Sequence, residues 1–193
     1  MSNTAAALLS LGRRKEAISA YCEAAALDAS FTRPRQRLTS LCCSGEALEE
    51  ALTAAMALSA AQPSSGARRD LVETLAVSLR ARAEGGHLFE RGRYEEAETL
   101  YSEALERLTL LVGSGGLPCA PGAPLLLSNR AAARMAQDRF AEAIADCDEA
   151  LAMAPGEGEL ERRREAAEKG RARQVAFGVH AHARKGSAAE QLL

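Results

Sequence analysis

Five cysteines, three histidines and a dense set of carboxylates are the residues of this 193-residue chain with the capacity for covalent or metal chemistry. The cysteines stand at 22, 42, 43, 119 and 147. Their number is odd, no Cys-x-x-Cys pair occurs, and zinc-ligand spacing is absent. Adjacent Cys42 and Cys43 do not readily bridge each other, so free thiols in a reducing compartment are expected. Cys147 reads as a small core residue. His180 and His182 are two apart, and on a helix they point to different faces. No Ser-His-Asp set or paired-carboxylate arrangement occurs. The glycines from Gly113 to Gly122 lack the Lys-Ser/Thr that completes a phosphate-binding loop. The expectation is a non-enzyme with no metal and no cofactor.

Charge points the same way. Lys and Arg total 24 against 26 Asp and Glu, a net charge of −2 that implies no strong electrostatic partner. The distribution is uneven: residues 84–106 are rich in Glu, and 161–185 carry eight Lys or Arg against three Glu. One aromatic, Phe177, is no interleaved pattern of the kind that suggests base stacking, so the basic run reads as a solvated helix face and not as a nucleic-acid interface. No stretch approaches the roughly 20 apolar residues of a membrane span, and no secretory signal pattern opens the chain. The expected location is the cytoplasm, with the nucleus as the alternative.

What remains is a pattern that positions side chains. Residues 92–105 read GRYEEAETLYSEAL, with imperfect copies at 12–27 (GRRKEAISAYCEAAAL) and 138–151 (DRFAEAIADCDEAL). The shared frame is Ala-x3-(aromatic or Cys)-x2-Ala, with Gly or Asp five residues before the first Ala. Ala17 and Ala51 stand 34 residues apart, and the steps to Ala97 and Ala143 are each 46, or one 34-residue period plus about 12. This self-similarity resembles the tetratricopeptide repeat (TPR), a helix-turn-helix unit. Alanine is the best helix former, aromatics are only 4%, and no run alternates like a strand. The predicted fold is therefore all-α, a TPR-type α-solenoid built on close helix contacts, with a polar C-terminal capping helix.

Four units follow from the spacing: 1–31, 32–65, 78–111 and 124–157, the second degenerate. They group as an N-terminal pair over 1–65, a helix extension over 66–77, a C-terminal pair over 78–157 with an insertion at 112–123, and a cap with a frayed tail over 158–193. Helices are predicted near 3–11, 14–28, 33–43, 46–61, 67–91, 94–112, 124–137, 140–153 and 157–184. Residues 113–122 are predicted to form a flexible loop.

Two stretches carry a sharper likeness. Residues 82–94 (RAEGGHLFERGRY) resemble the opening repeat of chaperone-binding TPR domains, and 127–132 (LSNRAA) resemble their second repeat. In that family, Lys and Asn side chains clamp the C-terminal carboxylate of Hsp70 or Hsp90. The resemblance puts Arg82 at the clamp lysine, Asn129 at the second asparagine and Arg163 at a third-repeat arginine, with Arg130 beside Asn129. It also puts Gly86 where the first asparagine stands, and Glu159, of opposite sign, at the third-repeat lysine. Residues 3–13, 30–38 and 81–86 resemble plant TPR proteins carrying a thioredoxin-like domain, and 82–151 resemble TPR co-chaperones with a J domain. Neither extra domain's motif occurs here, which implies a shortened relative or a fragment. The resemblance implies a co-chaperone-like adaptor that holds a partner peptide or chaperone tail at Arg82, Asn129, Arg130 and Arg163. The alternative is a scaffold that self-associates through its unfinished ends.

Overall fold

The computed structural model describes residues 2–27, 32–62, 64–113 and 116–190, with side chains in the last helix described to residue 176. His180, His182 and the tail from Gly186 lie outside the described side chains, as do Ala29, Ser30 and Phe31. Among the described residues there are nine α-helices and no strand: α1 (Ser2–Ser10), α2 (Arg14–Leu27), α3 (Thr32–Leu41), α4 (Gly45–Ala61), α5 (Gly66–Glu90), α6 (Tyr94–Val112), α7 (Ala123–Ala136), α8 (Phe140–Met153) and α9 (Gly158–Glu190). A short 3₁₀ turn, Leu117–Cys119, precedes α7. The chain is all-α in these residues, and the helix bounds fall within two residues of those predicted except at the end of α9, which continues to Glu190 through the tail expected to fray from Gly186.

Three helix pairs are closed by the same turn. Gly12, Gly92 and Asp138 all take left-handed φ, at 73°, 74° and 58°. Glycine adopts that conformation freely, and aspartate tolerates it. The amide after each of them reaches back to the same carbonyl: Arg13 to Leu8 (2.9 Å), Arg93 to Leu88 (3.0 Å) and Arg139 to Arg134 (2.9 Å). Each of those arginines then forks onto the carboxylate three residues on, at Glu16, Glu96 and Glu142. These pairs are exposed and add little stability, but they recur at one position in all three helix pairs. Five residues past the turn stand Ala17, Ala97 and Ala143, each fully buried where the second helix meets its neighbours. A larger side chain there would push close-packed helices apart.

The α5–α6 pair is antiparallel by its contacts. Arg107 reaches Glu73 at one end, Tyr101 covers Gly85 in the middle, and Phe89 meets Tyr94 edge-on at the other end. The α7–α8 and α8–α9 pairs follow, with α6 packed on α7. Helix α5 joins two cores. Leu71 and Leu75 enter one with Ile18, Tyr21, Leu38 and Leu48, and Ala81 enters the other with Leu105, Leu108, Leu126 and Leu127. Leu160 and Ala167 of α9 are buried while most of its described outer positions are exposed.

Two expectations change. Residues 32–65 do not form a helix hairpin: α3 packs on α2 and on the 3₁₀ turn, and touches α7 and α8, while α4 packs between α2 and α5. The turn before α4 has no left-handed residue. Instead the Ser44 Oγ accepts from the Ala47 amide at 3.2 Å as an N-cap. Nor is 113–122 a free loop, for Cys119, Ala120, Pro121 and Gly122 are buried. The Ser78 hydroxyl donates to the Pro121 carbonyl at 2.9 Å, and Gly122 lies against Ser78 and Leu48 so closely that a Cβ would sit 2.6 Å from Ser78 Cβ. The compact apolar end of the insertion is a wedge between the two cores, and α3 packs on it in place of α4.

Candidate functional site

A cleft of about 390 Å³ opens between α5, α6, α7 and α9. Three of the four residues singled out from sequence line it: Arg82 from α5, Asn129 from α7 and Arg163 from α9. Gly86, His87 and Tyr101 are also on its wall. The helix pairing explains the convergence, because these three positions are far apart in the chain and meet only when α5, α7 and α9 lie side by side.

The three donors differ in how they are held. Arg163 Nη1 donates to both the Ser128 carbonyl (2.7 Å) and the Ser128 hydroxyl (2.5 Å), and Nη2 donates to Glu159 at 3.2 Å. That leaves the guanidinium oriented, with part of its donor set turned to the cleft. Arg82 has looser company: its guanidinium lies over Gly45 at the start of α4, and Glu49 is 3.7 Å away. That ion pair is long and exposed, so it holds the guanidinium only loosely and leaves it able to turn to an incoming anion. The half-buried Asn129 side chain makes no hydrogen bond among the described residues, which leaves its amide free to meet a ligand.

Arg130 is not in the cleft. One residue past Asn129, it faces another side of α7, where Nε and Nη2 donate to Asp146 (3.1 and 2.7 Å) and Nη1 donates to Ser102 (3.1 Å). Arg134 also pairs with Asp146 (2.8 Å) and with Glu98 (2.9 Å), and Arg139 closes on Glu98 at 2.5 Å. Burial raises the Glu98 carboxyl, but hydrogen bonds from Arg134 and Gln137, with the Arg139 and Arg134 charges, outweigh it and hold the group below its usual range. This network ties α6, α7 and α8 together, and Arg130 belongs to it.

Gly86 and Glu159 stand where the resemblance placed missing or reversed clamp groups. A Cβ at Gly86 meets nothing within 4 Å, so the position faces open space. Glu159 forks onto Arg162 (2.8 Å) and Arg163. The hydrogen bond from Arg162 leads in holding its carboxyl low. Beyond it, a second small cavity of about 80 Å³ is lined by Cys43, Leu125, Leu160 and the same Asn129 and Arg163. Tyr101, Ser128 and the Gly45 contact were not singled out as site features. Tyr101 was visible as a frame residue, but no local signal told where its hydroxyl goes.

All five cysteines are free. Burial pushes Cys22 and Cys43 up to about 12 and Cys147 up to about 11, so these thiols are poor nucleophiles at neutral pH. Among the described residues, no group of three His, Cys, Asp or Glu is placed to hold a metal ion, and no helix is long and apolar enough to cross a membrane. No family model matches the chain, and no solved structure matches it.

Proposed function

We propose that this chain is a non-catalytic adaptor of TPR type, co-chaperone-like, whose cleft holds the C-terminal tail of a partner protein. The observation that carries the reading is the meeting of Arg82, Asn129 and Arg163 from three helices around one open cleft. Two guanidinium groups and the NH2 of an amide can converge there as donors, and a carboxylate, acceptor-only when ionised, is their complement. The three matching turns support a repeat scaffold, and five unpaired cysteines suit a reducing compartment such as the cytoplasm. Arg163 is already shared with Ser128 and Glu159, and no amide stands at Gly86, so weak binding is expected. The test is a calorimetric titration of the full chain with an acidic chaperone-tail peptide as free acid and as C-terminal amide. The free acid binds and the amide does not. Equal behaviour of the two peptides would end the reading.

A second reading, self-association, draws on the opposite side of α5–α6. A groove of about 240 Å³ is floored by Val77, Ala81, Leu100 and Ala104, with Leu110 82% exposed further along α6. Arg80, Glu84 and Glu103 on its walls form no ion pair among the described residues. Light scattering across a concentration series tests this reading, and a constant monomer mass removes it.

A further inference from the structure

We infer that the Tyr101 hydroxyl is a ligand donor of the cleft, giving a hydrogen bond to the bound carboxylate and taking over from the amide absent at Gly86. The inference rests on the proposal that the cleft takes a carboxylate. Tyr101 is only 2% exposed, yet it lines the cleft, and its hydroxyl has no hydrogen-bond partner among the described residues. A buried phenol normally finds a partner. One left open toward a cleft flanked by two arginines is poised for an acceptor that comes from outside.

The ring reaches that place because of Gly85. A Cβ there would lie 2.4 Å from Tyr101 Cε1 and 2.8 Å from Oη, so the ring lies directly on the backbone of α5. The matching positions in the first and fourth units, twelve residues before Ala17 and Ala143, hold Ala5 and Ala131. In the first unit Tyr21 fills the frame position and packs within the first core. In the fourth unit Cys147 stands there and carries no hydroxyl. Gly85 and Tyr101 thus occur together only in the unit whose clamp asparagine is replaced, at Gly86. Burial raises the phenol while Arg163 and Arg82 oppose it. The group therefore stays protonated near neutral pH and acts as a donor.

The test uses the full chain and Tyr101→Phe, which keeps the ring and removes only the hydroxyl. The probes are the acidic tail peptide as free acid and as amide. The expected result is a loss of about tenfold or more in affinity for the free acid, the size of a hydrogen bond to a charged group, with an unchanged thermal midpoint. The chain has no Trp and three Tyr, so a tyrosine absorbance shift on adding the free acid reports the phenol directly. That shift persists in Tyr21→Phe and Tyr94→Phe and vanishes in Tyr101→Phe. Equal binding of the free acid by wild type and Tyr101→Phe overturns the Tyr101 role alone. A wild type that binds neither peptide overturns the carboxylate reading as well.

Discussion

Two adjacent glycines of one helix should respond to the same substitution with opposite signs. Gly85→Ala and Gly86→Ala both remove a glycine from the interior of α5, which by itself favours the helix by about 0.5–1 kcal/mol. At Gly86 nothing lies within 4 Å of the new methyl, so that gain is the whole effect: a stabilisation of about 0.5–1 kcal/mol. At Gly85 the methyl lands 2.4–2.8 Å from three atoms of Tyr101, inside van der Waals contact. Tyr101 is packed at 2% exposure and has little room to retreat. Overpacking of this kind costs about 1–3 kcal/mol, and the steric closeness places it at the upper end. The net expectation for Gly85→Ala is a loss of about 1–2 kcal/mol. Urea unfolding followed by circular dichroism reads both variants, with the slope held constant. For a chain of this size the thermal midpoints should move by about 2–4 °C per kcal/mol, in opposite directions. Equal stabilisation of both variants would show that the ring of Tyr101 does not lie on Gly85, and the placement of its hydroxyl would fall with it.

Asp146→Ala leaves Arg130 and Arg134 partly buried without their shared carboxylate, and a loss of about 3 kcal/mol is expected in urea unfolding. Glu98 is held below its ordinary carboxyl range by Arg134, Gln137 and Arg139. A depressed folded value means that its contribution is present above the unfolded value and is lost as pH falls through the folded one. Glu98→Gln should therefore flatten the decline in stability below about pH 4.5, measured as midpoint against pH. Cys22, Cys42, Cys119 and Cys147 are buried, so a thiol reagent should label them slowly in the native chain and completely in urea, with Cys43 reacting first. Glu159→Lys removes the carboxylate that holds Arg162 and Arg163, and affinity for an acidic tail should rise about tenfold.

Much of the scaffold was readable because it rests on local chemistry. A residue able to take left-handed φ, followed five positions later by an alanine that fits a tight helix contact, marks the turns at Gly12, Gly92 and Asp138. The helices on either side follow from capping and apolar spacing. Residues 32–65 misled because Ala51 keeps the 34-residue step while the turn at Cys42–Ser44 carries none of that chemistry. The insertion misled for another reason. Glycine and proline signal a loop, but Cys119, Ala120 and Pro121 carry no strongly polar side chain, and the contact of Pro121 with Ser78 joins residues distant in sequence. The same limit applies at the cleft. Arg82, Asn129 and Arg163 could be placed by likeness to a repeat family. Arg130 leaving for Asp146 and Tyr101 arriving over Gly85 depend on helix rotation and on a partner many residues away.

Asn3 and Asn129 are the two asparagines of the chain, which makes the Asn129 side-chain amide pair easy to assign in a ¹H–¹⁵N spectrum by comparison with Asn129→Ala. That pair should shift progressively as the acidic tail peptide is added as free acid, and stay in place with the C-terminal amide. A peptide that binds while the Asn129 amide does not move would contradict the placement of the tail between α5, α7 and α9.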